Sequence, residues 1–163
     1  MSTPLKLIGV YLIAIIVQLT VFIDVRVAGV APELLAMVAV IAGFFAGTER
    51  GPIIAFGAGL IWDIYLPTPL GVAAITFALV AFAVASLEEG LFHDSRFQLF
   101  TVVGLASGTT VIGYALLGEL VGQRGLVDVE MLRVALLVGV INAALSPLAV
   151  PVMKWALVDG ERR

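Results

Sequence analysis

The side chains of this sequence that could carry out chemistry are few, and they lie inside or beside long apolar runs. Asp63 ends the run "GAGLIWD", and Glu119 lies near the end of a later run. Two carboxyl groups can act as a general acid and base, but no serine–histidine, paired-histidine or phosphate-loop arrangement accompanies them, and His93 is the only histidine. The sequence also lacks cysteine, which excludes disulfides and thiolate metal sites. We therefore expect neither an enzyme nor a cofactor or metal site.

The composition places these side chains in a membrane. Of the 163 residues, 61% are hydrophobic and 13% are charged, and the mean hydropathy is +1.15. A soluble domain contains about 25% charged residues, so this sequence predicts an all-α integral membrane protein. Its lysines and arginines form no basic stripe, so we do not expect nucleic-acid binding.

Six membrane crossings are predicted in a single membrane domain that covers residues 1–163, because a helix needs about 20 apolar residues to cross the hydrocarbon core. The predicted helices cover about residues 5–23, 32–47, 51–66, 70–87, 97–121 and 131–158. Thr48, Glu49 and Arg50 are expected to form a tight polar turn between the second and third helices. Pro67 and Pro69 are expected to break the chain after the third helix, since proline lacks the backbone donor.

The distribution of lysine and arginine predicts the orientation of this bundle. Six crossings place both termini on one side of the membrane. The loops on that side hold Lys6, Arg50, Arg96, Lys154, Arg162 and Arg163, whereas the loops on the other side hold Arg26, Arg124 and Arg133. The positive-inside rule then places both termini in the cytoplasm.

A layer of polar residues is predicted near the outer ends of the helices. Asp63 lies about 20 Å along its helix from Arg50 at 1.5 Å per residue, and an ionisable residue at such a depth indicates a functional site that faces the bundle interior. Its carboxylate has three alternative partners: the amides of the 67–71 corner, an arginine of the outer rim, or another protein. The candidate residues of this layer are Gln18, Arg26, Asp63, Glu119 and Arg124. Asn142 is expected near the middle of the last helix, below the layer.

Small residues form a stripe that leads to Asp63 at intervals of four residues. Small residues let helices approach closely in lipid, so the third and fourth helices are expected to pack tightly. The alternative is a stripe that faces lipid and docks a partner helix. The stripe, with the corner and the facing helix, comprises Gly51, Ala55, Gly59, Pro69, Gly71, Ala74 and Ala78.

Residues 32–71, "PELLAMVAVIAGFFAGTERGPIIAFGAGLIWDIYLPTPLG", resemble the rod shape-determining protein MreD family. That family typically has a proline-led second helix, then G-F-x-x-G-L-x-x-D, a short break and P-L-G. The matching residues are Pro32, Gly57, Gly59, Leu60, Asp63, Pro69, Leu70 and Gly71. The family's glycine–phenylalanine pair is altered here, where the sequence has "AFGAGLIWD". The length and the six-helix layout resemble the family over the whole chain.

The resemblance implies a non-enzymatic scaffold of the bacterial cell-elongation machinery, in the cytoplasmic membrane and surrounded by its lipid. It implies direct binding of MreC, and through it association with MreB, RodA and a class B penicillin-binding transpeptidase, in support of peptidoglycan synthesis and cell shape. The family is also similar in fold to the six-helix substrate-binding subunits of energy-coupling-factor transporters. A solute- or vitamin-binding subunit is therefore the alternative, although the first helix, "LKLIGVYLIAIIVQLTVFI", lacks the A-x-x-x-A face typical of those subunits.

Overall fold

The computed structural model describes residues 3–91 and 96–157, and within them the fold is all-helical. The helices are α1 (Thr3–Thr20), α2 (Leu34–Asp63), α3 (Val72–Leu91), α4 (Arg96–Leu120) and α5 (Val129–Leu157). These residues contain no strand, and the loop after α1 has a single bridge between Val27 and Val30. The predicted all-α class is confirmed. His93 lies outside the described residues.

Four of the helices are long and apolar enough to cross a membrane: α1, α2, residues 98–120 of α4, and α5. Helix α3 has a shorter apolar stretch, Val72–Glu88. Long apolar helices joined by short loops are the pattern of a multi-pass membrane protein.

The described residues form five helices rather than the predicted six, because the predicted second and third helices both belong to α2. Gly47 leaves the helical conformation, with φ +73° and ψ −177°, a region that only glycine adopts readily. A straight helix would separate Gly43 from Gly51 by about 12 Å. Instead, a Cβ built on Gly51 would lie 2.8 Å from Cα of Gly43. Helix α2 therefore folds back on itself at Gly47, into two arms of residues 34–46 and 48–63.

The predicted polar turn at residues 48–50 is wrong, because these residues are helical. The reversal needs only one glycine, so the polar residues begin the second arm instead of forming the turn.

The first arm of α2 is the centre of the bundle. Every residue from Leu35 to Gly43 is buried, which is the pattern of a helix surrounded by protein on all sides. The neighbouring segments approach it at backbone distance, since a Cβ on Gly43 would lie 2.5 Å from the carbonyl oxygen of Ala81 in α3. The two arms and α3 therefore form one tightly packed unit.

Helices α4 and α5 cross at a second close contact. A Cβ on Gly139 would lie 2.7 Å from the carbonyl oxygen of Gly104, and one on Gly108 would lie 2.9 Å from that of Ala135. Contacts this short require glycine, since any side chain would separate the two helices.

Helix α5 contains two prolines, and a hydroxyl compensates for one of them. Pro147 cannot donate to the carbonyl of Ala143 as a helical residue would. The hydroxyl of Ser146 donates to that carbonyl instead, at 2.7 Å.

Helix α1 packs against α2 and α5, and it holds the two described ends of the chain together. The ammonium of Lys6 donates to the carbonyl oxygen of Trp155 at 3.0 Å and lies 4.6 Å from the centre of the indole ring. The first turn of α1 and the last turn of α5 are therefore at the same end of the bundle. Which face of the membrane this end meets stays a prediction.

The contact between the second arm of α2 and α3 gives a test of the packing. A Cβ on Gly59 would lie 2.4 Å from Cα of Ala74, whereas a Cβ on Gly57 would meet only the Tyr11 ring, at 3.7 Å. Overpacking costs about 1–3 kcal/mol, so we expect Gly59→Ala to lower the unfolding temperature in detergent clearly. Gly57→Ala is the matched control in the same helix and should unfold like wild type. Equal unfolding temperatures for the two variants would contradict this packing.

Candidate functional site

Asp63 holds the N-terminus of α3. Its carboxylate accepts hydrogen bonds from the backbone N–H groups of Gly71, Ala73 and Ala74, at 2.8, 2.9 and 3.1 Å. The first N–H groups of a helix have no partner within the helix, and a carboxylate there also meets the positive end of the helix dipole. Asp63 is only 2% exposed, so water has little access to this contact. The acceptor for these N–H groups is therefore a side chain of the protein itself. Of the three partners considered for Asp63, the structure shows the corner, through the amide of Gly71, and it adds two amides of the first turn of α3.

The corner between α2 and α3 brings the carboxylate to these amides. Asp63 is the last residue of α2, and Gly71 completes the corner with φ +106°. Helix α4 fixes the middle of the corner, where the hydroxyl of Tyr114 donates to Oγ1 of Thr68 at 2.7 Å. Pro69 is exposed at the surface.

Gln18 of α1 holds the N-terminus of the other buried helix, α2. Its amide nitrogen donates to the carbonyl oxygen of Pro32 at 2.7 Å, and its amide oxygen accepts from the N–H of Leu34 at 2.9 Å. One carboxamide thus satisfies an acceptor just before the helix and a donor in its first turn.

Asn142 of α5 makes the same kind of double contact with Glu33, the residue between Pro32 and Leu34. Its amide nitrogen donates to the carbonyl oxygen of Glu33 at 3.0 Å, and its amide oxygen accepts from the N–H of Glu33 at 3.3 Å. Irregular backbone at membrane depth is tolerated only where protein or water satisfies it. The two carboxamides therefore make it possible for α2 to begin inside the bundle.

The predicted depth of Asn142 is wrong relative to Gln18. Both side chains hold consecutive residues of one segment, so they lie at the same level of the bundle. Asn142 is about 20 Å along α5 from Val129, and the segment before α2 descends to meet it. The sequence could not reveal this descent, because a six-helix layout places Pro32 at the membrane surface.

The remaining predicted residues do not join this layer. Glu119 accepts hydrogen bonds from three loop amides, those of Gly125, Leu126 and Val127, at 2.8, 3.1 and 3.4 Å. Arg26 is exposed and donates to the carbonyl of Ile23, and Arg124 is exposed on the loop after α4. Within the described part of the chain, neither arginine pairs with Asp63 or Glu119. The five predicted residues therefore do not line a common pocket.

The stripe of small residues is covered by the chain's own helices. Gly51 lies against Gly43, Gly59 lies against Ala74, and Ala55 is fully buried. Gly71 and Ala78 are partly buried. The alternative in which these residues dock a partner helix from the lipid side is thus wrong for Gly51, Ala55 and Gly59.

Sequence reasoning missed three residues of the layer: Glu33, Thr68 and Tyr114. Glu33 did carry a signal, because an ionisable residue inside a predicted span indicates a functional site. Tyr114 and Thr68 carried no such signal, because their contact depends on how α4 packs against the corner.

Three surface grooves of the bundle are apolar. They lie between α4 and α5, between α3 and α4, and beside α1, with volumes of about 560, 500 and 270 Å³. No group of three aspartate, glutamate or histidine side chains in the part of the chain described by the structure is arranged to hold a metal ion.

Comparison with known families identifies the bundle. The family model of the rod shape-determining protein MreD matches residues 3–149. The chain belongs to the MreD family. Its role is therefore connected with rod-shape determination, and the family is described by this role rather than by an enzymatic activity. A comparison with curated proteins finds no match, and neither does a comparison with solved structures.

The expected similarity to substrate-binding subunits of energy-coupling-factor transporters has no support. No solved structure matches. The polar residues that would line a solute pocket instead bind backbone groups of the chain itself.

The role of Asp63 gives a direct test of this layer in the MreD fold. Asp63→Ala leaves three N–H groups without an acceptor, and we expect a loss of about 2 kcal/mol or more in unfolding free energy. Glu49→Ala, at an exposed carboxylate near the Gly47 turn, is the control and should have little effect. Thermal unfolding in detergent measures both variants. Wild-type behaviour of Asp63→Ala would show that the amides do not depend on this carboxylate.

Proposed function

We propose that this MreD-family chain is a non-enzymatic membrane scaffold that binds the transmembrane helix of MreC. The observation that carries the proposal is the family match over residues 3–149. Through MreC, the chain would join RodA, a class B penicillin-binding transpeptidase and MreB, and would support peptidoglycan synthesis and cell shape. We place it in the bacterial cytoplasmic membrane with both termini in the cytoplasm.

The use of the polar side chains supports a scaffold. The polar side chains of the layer form their hydrogen bonds with backbone groups of the chain, as Gln18, Asp63 and Asn142 do. Asp63 and Glu119 bind different segments, so they do not act together as an acid–base pair. A partner would therefore meet a rigid bundle through its outer surface.

That outer surface is apolar over several helices. Leu105 of α4 and Leu136 of α5 are about 70% exposed and line the same groove. Ile13 of α1 is exposed beside the groove that α1 forms with α2 and α5. Helix association in lipid depends on packing and on close approach, for which such grooves are suited.

Co-purification with photo-crosslinking tests the proposal. The tagged chain and MreC would be extracted with native lipid, with a photoreactive residue placed singly at Ile13, Leu105 or Leu136. A control position, Ala58, is fully buried. We expect a stable complex and a crosslink to MreC from at least one outward position but not from Ala58.

Failure of MreC to co-purify with native lipid present would contradict direct binding. A crosslink from Ala58 alone would show that the bundle had opened, and it would contradict the rigid surface on which the proposal rests.

A further inference from the structure

The groove that α1 forms with α2 and α5, here called the α1 groove, has an apolar lining and a volume of about 270 Å³. Its floor is the first arm of α2, where Met37 and Val38 are buried. Its rims are exposed, with Ile13 of α1 on one side and Leu148 of α5 on the other, at 64% and 71%. Such a groove favours an apolar occupant, because a water molecule would find no polar partner in it.

The α1 groove is too short for a membrane-spanning helix. Its lining on α5 extends from Leu145 to Met153, about 12 Å along the helix axis, whereas the hydrocarbon core is about 30 Å thick. Phe22, in the turn after α1, lines the groove at one end. At the other end, the ammonium of Lys6 donates to the carbonyl of Trp155 and joins α1 to α5. A groove bounded in this way suits a flexible hydrocarbon chain.

Two lysines lie at the end of the α1 groove where α5 finishes. Lys6 is about one helical turn before Val10, the first residue of α1 that lines the groove. Lys154 directly follows Met153, the last lining residue of α5. Because α1 begins where α5 ends, both ammonium groups belong to the same end of the groove.

Neither lysine forms an ion pair with a carboxylate of the described residues. Lys6 donates to one carbonyl, at 3.0 Å, and lies 4.6 Å from the centre of the Trp155 ring. Lys154 is exposed and lies 5.0 Å from the centre of the Phe45 ring. A carbonyl and a ring leave the net charge of an ammonium uncompensated, and each ammonium has three N–H donors. Both lysines can therefore donate to an anion at this end of the groove.

An apolar groove with positive charge at one end is complementary to an anionic phospholipid. The acyl chain matches the apolar lining, and the phosphate of the same molecule matches the ammonium groups. Tryptophan and lysine at a helix end are typical of the depth of lipid headgroups. Each lysine at the membrane surface raises the affinity for anionic lipid by about fivefold. A zwitterionic lipid offers the same chain without the net charge, so it gains less.

We propose that the α1 groove binds one anionic phospholipid, with an acyl chain between Ile13 and Leu148 and the headgroup phosphate held by Lys6 and Lys154. The lipid joins the first and last described helices to the central arm of the bundle. This site is independent of the proposed binding of MreC, for which the groove between α4 and α5 stays available.

Trp155 provides the measurement, because its indole lies beside Lys6. The sequence contains two tryptophans, so Trp62→Phe leaves Trp155 as the sole indole. The purified chain would be placed in phosphatidylcholine bilayers that contain a rising fraction of phosphatidylglycerol with brominated acyl chains, or of brominated phosphatidylcholine for comparison. Bromine quenches indole fluorescence on contact. We expect quenching that saturates at a lower fraction of phosphatidylglycerol, with a preference of about fivefold or more over phosphatidylcholine.

Charge variants in this background assign the preference to the two lysines. We expect Lys6→Gln and Lys154→Gln each to lower the preference by about fivefold. Arg124→Gln is the matched control, since it removes one exposed positive charge from the loop after α4, and it should keep the preference. Because the preference compares two lipids in the same variant, a change in the brightness of the indole itself cancels.

A groove variant tests the place of the acyl chain. Ala149 lines the α1 groove, so Ala149→Phe fills it and leaves both lysines in place. We expect this variant to lose the preference for phosphatidylglycerol. Ala144→Phe, at an exposed position of α5 outside the groove lining, is the control and should keep it.

The proposal is overturned if the two brominated lipids quench Trp155 equally, which is the result that ordinary boundary lipid would give. It is equally overturned if both lysine variants keep the full preference, or if Ala149→Phe and Ala144→Phe behave alike. Should Lys6→Gln or Ala149→Phe fail to fold, Lys154→Gln decides, because Lys154 is exposed and an unchanged preference in that variant excludes it as a phosphate ligand.

Discussion

The fold depends on one constraint: a helix that begins inside an apolar bundle must find acceptors for its first N–H groups within the protein. Water cannot supply them at that depth, and each unsatisfied group costs on the order of 1–3 kcal/mol. Two of the described helices begin in such a position. Asp63 supplies the acceptors for α3, and Gln18 and Asn142 pair with the backbone where α2 begins.

These bonds also hold the bundle together, because each joins elements that are distant in the sequence. Asn142 reaches a residue 109 positions away, and Gln18 joins α1 to the start of the central arm. Bonds of about 3 Å require the helices to stand close together. The glycine contacts at Gly43 and Gly59 give that closeness, since both place backbone against backbone. The small residues and the polar side chains thus both stabilise the close packing of the helices.

The hydropathy of the sequence predicts the helical class and the membrane setting, because both follow from the amount and grouping of apolar residues. The importance of Asp63 was also predictable from the sequence, since a carboxylate at the end of an apolar run, before a proline corner, has few possible roles. The sequence predicted a reversal at residues 48–50 but not that Gly47 alone would make it, because a single glycine between two apolar stretches looks like any other membrane glycine until its positive φ is seen. The pairing of Asn142 with Glu33 could not be predicted from the sequence either. It depends on the path of residues 30–33 into the bundle, which no local pattern specifies.

The central claim is that the Asp63 carboxylate accepts the first N–H groups of α3 in the membrane, and solid-state NMR in lipid bilayers tests it most directly. The protein would be labelled with ¹³C at the aspartate carboxyl carbons and with ¹⁵N at alanine. Among the described residues, only Asp63 accepts hydrogen bonds from alanine amides, those of Ala73 and Ala74. We predict dipolar dephasing that corresponds to carbon–nitrogen distances within about 4 Å, lost in Asp63→Glu, which removes the label. An aspartate carboxyl signal without short contacts to alanine nitrogen would contradict the account.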